Sequence, residues 1–487
     1  MNLFEQVDDP TDLAKLKSVI AASERPNDLV ALGIKHLVIS PDASLQVVEY
    51  LHDLLGTDLL GAEHSASRSR VVLLADATQI FRNGQDLKFY LEESLAEHFE
   101  VSRITLGDGG HLSVDDAALD AATQALDGAA ALVSVGAGTI SDIAKVASAR
   151  QGDVPHVLVQ TAASVDGYTD NVSVVLRAGA KRTIDSRWPD VVLADTEVIS
   201  SAPAALNTSG FGELLSLFTA PADWWLAYQL GTDKSFHSTP RDLLLTFAGN
   251  PTEWGAGISD GNRAAVEQLT KVLAIRGIGT GIAGTTACLS GMEHLVSHML
   301  DMYAAGHHFE IGLHGKQVGV ASVAAAVTWE YLLDQIRSGR KIEIRNSTAE
   351  SEETLASVFA VCDETGALGS ECWRDYSAKS TALSVAGAKI KELLSSADDI
   401  ETALGRTLPN SENLLRGLHL AGAAYSPTQL DDWVTTDVWK WAVRNCHLMR
   451  NRVTIIDLLD AAGWWTTNDV DEILNRVEVL IRKVQND

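Results

Sequence analysis

VSVGAGTISDIAK, residues 133–145, is the stretch on which the fold turns. A short apolar run ends on Gly136-Ala137-Gly138, and from Thr139 the spacing is helical. A strand that runs through glycines into a helix lets the backbone approach a ligand. The unpaired N–H groups of the helix's first turn then suit a pyrophosphate. The spacing departs from GxGxxG, so the plain alternative is a tight strand-to-helix turn. Asp142 and Lys145 fall on the first turns of that helix, either as cap and surface charges or facing a cofactor.

The surrounding sequence repeats this unit. HLVIS (36–40), VVLLAD (71–76), VSRITLG (101–107), AALVSVGAG (130–138) and HVLVQTAAS (156–164) read as strands. SLQVVEYLHDLL, DLKFYLEESLAEHF and ALDAATQALDG, lying between them, have helical spacing. Such βαβ alternation predicts a mostly parallel sheet covered by helices on both faces. VVLLAD is apolar on both faces, as a buried parallel strand must be. From Thr208 the texture changes, and segments such as ELLSLFTAPADWWLAYQL, GMEHLVSHMLDMYAA and QVGVASVAAAVTWEYLLDQI are helical. GNPTEWGAGISDGN (249–262) reads as a long loop and residues 341–413 as peripheral helix. The expected architecture is an α/β dinucleotide-binding domain over 1–200 and an all-α domain over 201–487.

Composition narrows the function. In 487 residues, 65 Asp and Glu outweigh 38 Lys and Arg, for a net charge of −27. Phosphate backbones need clustered Lys and Arg, so nucleic acid is excluded as a partner. An anionic membrane surface is disfavoured by the same sign. No apolar run approaches the roughly 20 residues of a membrane span, and the acidic N-terminus MNLFEQVDDPTDL lacks a signal-peptide core. Cys288, Cys362, Cys372 and Cys446 show no CxxC spacing, which favours reduced thiols and a cytoplasmic enzyme acting on a small molecule.

Two further constellations carry chemistry. TAASVDGYTD (161–170) follows a strand, placing Thr161 and Ser164 at a strand's C-terminal end, where open α/β sheets bind ligands. Asp166 in the same turn is a carboxylate whose bland role is an Asx-turn. The second constellation is dispersed: Glu213, then His294 and His298 four apart on one helical face, then His314. A carboxylate and two imidazoles from three helices suit Zn²⁺ or a similar cation with a position open for substrate. With 14 histidines in the chain, the opposing reading of the i,i+4 pair is an ordinary helix surface. Lys181-Arg182 could hold a phosphate or be surface charge.

In this order, GAGTISDIAK, TAASVDGYTD, AKRTIDSRWPDVVLADTEVI, SGFGELLSLFTAPADWWLA, SGMEHLVSHMLD, HGKQVGVAS and RNRVTIIDLLDAAGWW (450–465) resemble the sn-glycerol-1-phosphate dehydrogenases. The bacterial branch found with arabinose operons is the nearer likeness. That family belongs to the glycerol-dehydrogenase, iron-alcohol-dehydrogenase and dehydroquinate-synthase superfamily. The resemblance implies an α/β nucleotide domain, a helical metal- and substrate-binding domain, NAD or NADP, one divalent metal (Zn or Ni) and a homodimer. Residue by residue, it places Gly136, Gly138 and Thr139 along the pyrophosphate, with Asp142 and Lys145 in the same motif. It places Asp76 at the adenosine ribose, where a carboxylate favours NAD. Thr161 and Ser164 would line the nicotinamide, Asp166 would meet substrate hydroxyls, Glu213, His294 and His314 would hold the metal, and His298 would relay a proton.

The implied reaction is reversible reduction of dihydroxyacetone phosphate to sn-glycerol 1-phosphate. Two departures stand out. The family carries Asp where this chain has Glu213, and Ser-Arg-Pro-Ala-Ser-Gly where this chain reads Thr285-Thr286-Ala287-Cys288-Leu289-Ser290-Gly291. The lost arginine removes a charge-assisted partner for phosphate. It leaves open an unphosphorylated polyol or ketone substrate, a dehydroquinate-synthase-type cyclase, or a catalytically silent binding protein.

Overall fold

The computed structural model describes residues 3–57, 68–109, 112–177, 180–345, 351–408 and 410–486. The chain forms two compact units. The first comprises Met1–Gly210, Asp242–Ala248 and Gly257–Gly284; the second comprises Phe211–Arg241, Gly249–Ala256 and Thr285–Asp487.

The first unit is built on strands β1 (His36–Ser40), β2 (Arg70–Asp76), β3 (Phe81–Arg82), β4 (Gln85–Asp86), β5 (Glu100–Leu106), β6 (Ala131–Gly136), β7 (His156–Gln160), β8 (Val172–Arg177), β9 (Ala180–Asp185) and β10 (Val191–Asp195). Six of them form an entirely parallel sheet in the order β1-β10-β7-β6-β2-β5. The short pairs β3-β4 and β8-β9 are antiparallel hairpins. Alternation along β2 explains the two cores. Val71, Leu73 and Ala75 pack with Leu51, Leu87, Leu91 and Leu95 on one face. Val72 and Leu74 meet Leu119, Ile140, Ile143 and Ala147 on the other. Both faces of this strand are covered, so its side chains are apolar without interruption.

The sheet order creates a crevice. From β2 the chain moves to β5 on one side, and from β6 it moves to β7 on the other, so connections diverge at the β2/β6 pair. Ala75 pairs with Val135, which sets Asp76 and Gly136 side by side at the carboxyl ends of these strands. Ligands of open α/β sheets bind at such a switch point.

The second unit is helical. Its longest element, His314–Arg337, is buried nearly all round and packs against Met292–Gly306, Ser411–Leu420 and Thr467–Asn486. A helix surrounded in this way needs small apolar residues on every side, which VGVASVAAAV supplies. Trp224 and Trp464 are buried in this unit. All four cysteines are buried, and none is joined to another in a disulfide.

The stretch 249–262 departs from the expected loop. Pro251–Trp254 forms a single helical turn, with the Asn250 side chain accepting from the Thr252 N–H and Pro251 at the first position. Proline there loses no intrahelical hydrogen bond, and asparagine caps well, so these loop-like residues are equally a helix start. Residues 341–413 are largely helical, yet not wholly peripheral: Lys379 on Ala367–Ser384 is buried and paired with Asp457 at 2.7 Å.

Candidate functional site

In the second unit, Glu213, His294 and His314 each offer one ligand atom, and the three atoms lie within 4.8 Å of one another. Glu213 sits in the last turn of Ala204–Leu214, His294 in the first turn of Met292–Gly306, and His314 opens His314–Arg337. Glycine allows the close approach of the first and last. A Cβ on Gly212 would fall 2.2 Å from the Gly315 carbonyl oxygen, and one on Gly319 would fall 2.7 Å from Gly212 Cα.

The neighbours of the two imidazoles aim them. His294 Nδ1 lies 2.9 Å from Glu293 Oε1, leaving Nε2 at 3.2 Å from Glu213 Oε1. His314 Nδ1 lies 2.9 Å from Ser297 Oγ, and its Nε2 faces Glu213 Oε2 at 3.8 Å. Metal-binding histidines commonly engage their second nitrogen in this way, which fixes the tautomer. Glu293 is itself held, with Oε1 accepting from Gly291 N at 2.7 Å and Oε2 from Thr219 Oγ1 at 2.8 Å. Burial disfavours a charged His294, but the Glu213 and Glu293 carboxylates outweigh it and raise its pKa to about 9. A carboxylate converging on two oriented imidazoles is a donor set that fits a divalent cation. The His298 ring stacks on His314, with centroids 5.5 Å apart.

The first unit holds the remaining expected residues. The helix Gly138–Arg150 is N-capped by Ala137, whose side chain has no oxygen to offer its first turn. A Cβ on Gly136 would stand 2.8 Å from Ile140 Cβ, so the turn closes onto its own helix only with glycine there. Gly138 and Thr139 are half-buried. Asp76, at the end of β2, accepts from Lys88 Nζ at 2.6 Å and from Thr78 Oγ1 at 2.9 Å. Thr161 N donates to the Gly136 carbonyl, and Ser164 Oγ lies 3.2 Å from the Tyr168 hydroxyl.

Lys145 is fully buried and donates to the Gly167 carbonyl at 2.6 Å, to Asp170 at 2.5 Å and to the Val172 carbonyl at 2.5 Å. Asp142 lies 3.4 Å from the same ammonium and accepts from Val174 N. These two charges thus tie the turn 166–172 to the glycine-flanked helix. Asp166 accepts from Nε of the buried Arg276 at 3.2 Å.

Sequence reasoning missed Glu293, Ser297 and Arg276. Glu293 could have been found from its place directly before His294; Arg276 lies 110 residues from its partner and carries no local signal. The side chain of Lys181 lies outside the described ones, and Arg182 is on β9.

Residues 57–203 match the family model "Iron-containing alcohol dehydrogenase". The maleylacetate reductase from Rhizobium sp. strain MTP-10005 has a similar fold, with a TM-score of 0.51 at 14% identity, covering 92% of this chain and 97% of that one. An archaeal halo-thermophilic Red Sea brine pool alcohol dehydrogenase gives 0.50 at 12%, covering 92% and 98%. Glycerol-1-phosphate dehydrogenase (NAD(P)+) from Methanothermobacter thermautotrophicus is 32% identical over 250 residues, or 50% of this chain and 69% of that protein. The Thermococcus sibiricus enzyme of the same name is 31% identical over 251 residues, or 51% and 69%. With its sequence shared at this level over more than two thirds of these proteins, the chain belongs to the glycerol-1-phosphate dehydrogenase family.

Proposed function

We propose that this chain is an NAD(P)-dependent, metal-assisted dehydrogenase that reversibly reduces dihydroxyacetone phosphate to sn-glycerol 1-phosphate. The observation that carries the reading is the convergence of Glu213 with two imidazoles whose outer nitrogens are engaged by Glu293 and Ser297. When bound, a divalent cation (zinc or nickel) polarises the substrate carbonyl and a reduced nicotinamide supplies hydride.

The chain's own residues do the rest. Glu213, His294 and His314 hold the cation. His298, stacked on His314, holds the proton destined for the new hydroxyl at a ring nitrogen. Asp166, steadied by Arg276, binds substrate hydroxyls. Gly136, Gly138 and Thr139 accommodate the pyrophosphate at the β2/β6 switch point, while Asp76 receives the ribose and favours NAD. Thr161 and Ser164 line the nicotinamide. Asp142 and Lys145 position the turn that carries Asp166. A cytoplasmic homodimer belongs to the same proposal.

The test is oxidation of NADH and of NADPH with dihydroxyacetone phosphate, before and after chelation and after restoring zinc or nickel. Metal-restored turnover is expected, and turnover that survives complete metal removal would overturn the mechanism. A second reading, reduction of an unphosphorylated ketone, is favoured by Thr285–Gly291, where the family's arginine is absent. Equal kcat/KM for dihydroxyacetone and its phosphate would select it.

A further inference from the structure

A cavity of about 240 Å³ in the helical unit is lined by Asp223, Thr232, Asp233, Thr285, Ser290, Asn451 and Arg452, among others. Arg452 donates to the Ser290 carbonyl at 2.6 Å and to Thr286 Oγ1 at 2.9 Å. Among the described residues no carboxylate lies within ion-pairing distance of this guanidinium. Arg452 is half-buried, and a cation partly withdrawn from water is ordinarily paired with a counter-charge. Burial and the neighbouring charge of Arg450 push Arg452 down to about 10, against the weaker opposing pull of Glu293 and Asp233. The Ser290 hydroxyl and the Asn451 side-chain amide also have no hydrogen-bond partner among the described residues.

Neither of the two carboxylates at the cavity forms an ion pair with Arg452. Asp223 accepts from Met292 N at 2.9 Å and Ile455 N at 3.0 Å, and burial followed by the charge of Glu293 raises its pKa well above the usual carboxylate range. Asp233 is turned onto the Ser235 N–H and hydroxyl. What remains is a guanidinium without a counter-ion, a hydroxyl and an amide, the donor set of a phosphate site.

We propose that this cavity binds a phosphate dianion through Arg452, Ser290 and Asn451, and that in catalysis the dianion is the phosphate of the substrate. Arg452 thus replaces the arginine that Thr285–Gly291 lacks. It grips that very segment, four residues before His294, from a position 162 residues further along the chain. The identification of the dianion as substrate phosphate rests on the dehydrogenase reading above; the binding of phosphate does not.

The test begins with titration of inorganic phosphate into the full-length protein at constant ionic strength. Binding is expected, and Arg452→Gln should weaken it about 10- to 100-fold. Because Arg452 also braces a loop, Asn451→Asp is the second variant: this side chain is exposed, and its new carboxylate should weaken binding of the dianion about 10-fold. Both variants should raise KM for dihydroxyacetone phosphate by matching factors, and the ratio of kcat/KM for dihydroxyacetone phosphate to that for dihydroxyacetone should fall about 10-fold or more. Competition between inorganic phosphate and the phosphorylated ketone identifies the ligand as substrate phosphate. Binding that the variants weaken without competition identifies free orthophosphate instead. Absence of phosphate binding, or equal binding by both variants and the parent, overturns the proposal. If the parent reduces neither ketone, the dehydrogenase reading fails and the phosphate titration still judges Arg452.

Discussion

Glu293 Oε1 stands 2.9 Å from His294 Nδ1 and 2.7 Å from the Gly291 amide nitrogen, so a single carboxylate oxygen joins a helix start to the imidazole beside it. Its partner oxygen is taken by Thr219. The ring cannot turn without breaking this bracket, and Nε2 is left facing Glu213. Glu293→Gln keeps the shape and removes the charge. Metal affinity should fall about 10- to 100-fold, measured by competition with a chromogenic chelator. Unchanged affinity would remove Glu293 from the orienting role.

Gly212 and Gly315 set the distance between Glu213 and His314. With only 2.2 Å between a Cβ on Gly212 and the Gly315 carbonyl, Gly212→Ala must push the helices apart. A cost of about 1–3 kcal/mol is expected in urea denaturation. Metal content should fall with it, because ligand distances tolerate only small errors. A variant that stays stable and metal-replete would show that the contact is not limiting.

Lys145 carries no exposed surface, and all three of its shortest bonds are to the turn after β7. Lys145→Met leaves Asp170 buried without a counter-charge. Loss of about 3–5 kcal/mol of stability is expected at neutral pH. Adding Asp170→Asn to it should recover part of that loss, read as a double-mutant cycle in urea.

His156 is buried at the start of β7, with Nε2 2.7 Å from Ser134 Oγ. Burial and the positive charge of Arg187 lower its pKa from 6.5 to about 3. Its folded-state pKa lies below the unfolded value, so above pH 6.5 it costs nothing. As pH falls from 6.5 toward 3, the unfolded chain gains a proton that the folded chain refuses. Stability should drop by about 1.4 kcal/mol per pH unit in that window. His156→Gln, which keeps a partner for Ser134, should flatten the acid limb of a plot of unfolding free energy against pH.

The central strands β2, β6 and β7 were legible because each lies in a covered parallel sheet and is buried on both faces. β10, VVLAD, has the same signature inside a longer motif. Strand order was not legible: β1 pairs with β10, more than 150 residues away, and nothing local to HLVIS encodes that partner. Spacing alone offered His294 and His298 as a helical pair. The donor atoms brought together by the fold belong to Glu213, His294 and His314, the first separated by 81 residues from the second. Family likeness reached those three. Neither spacing nor likeness reached the groups that aim them, because Ser297 and Glu293 are ordinary helix residues until their neighbours are known. Arg452 was visible only as part of a motif, and its lack of a counter-ion is a property of the packed molecule.

The chain passes from one compact unit to the other five times, at 210/211, 241/242, 248/249, 256/257 and 284/285. Neither unit is a contiguous length of polypeptide. A single genetic crossover therefore cannot transplant the nucleotide half of this enzyme onto the metal half of a relative. Exchange by recombination would require several coordinated breakpoints, and the helix Arg263–Ala283 would have to travel with a sheet that ends some 70 residues before it. The two halves are bound to be inherited together, and their substitutions to accumulate as one lineage.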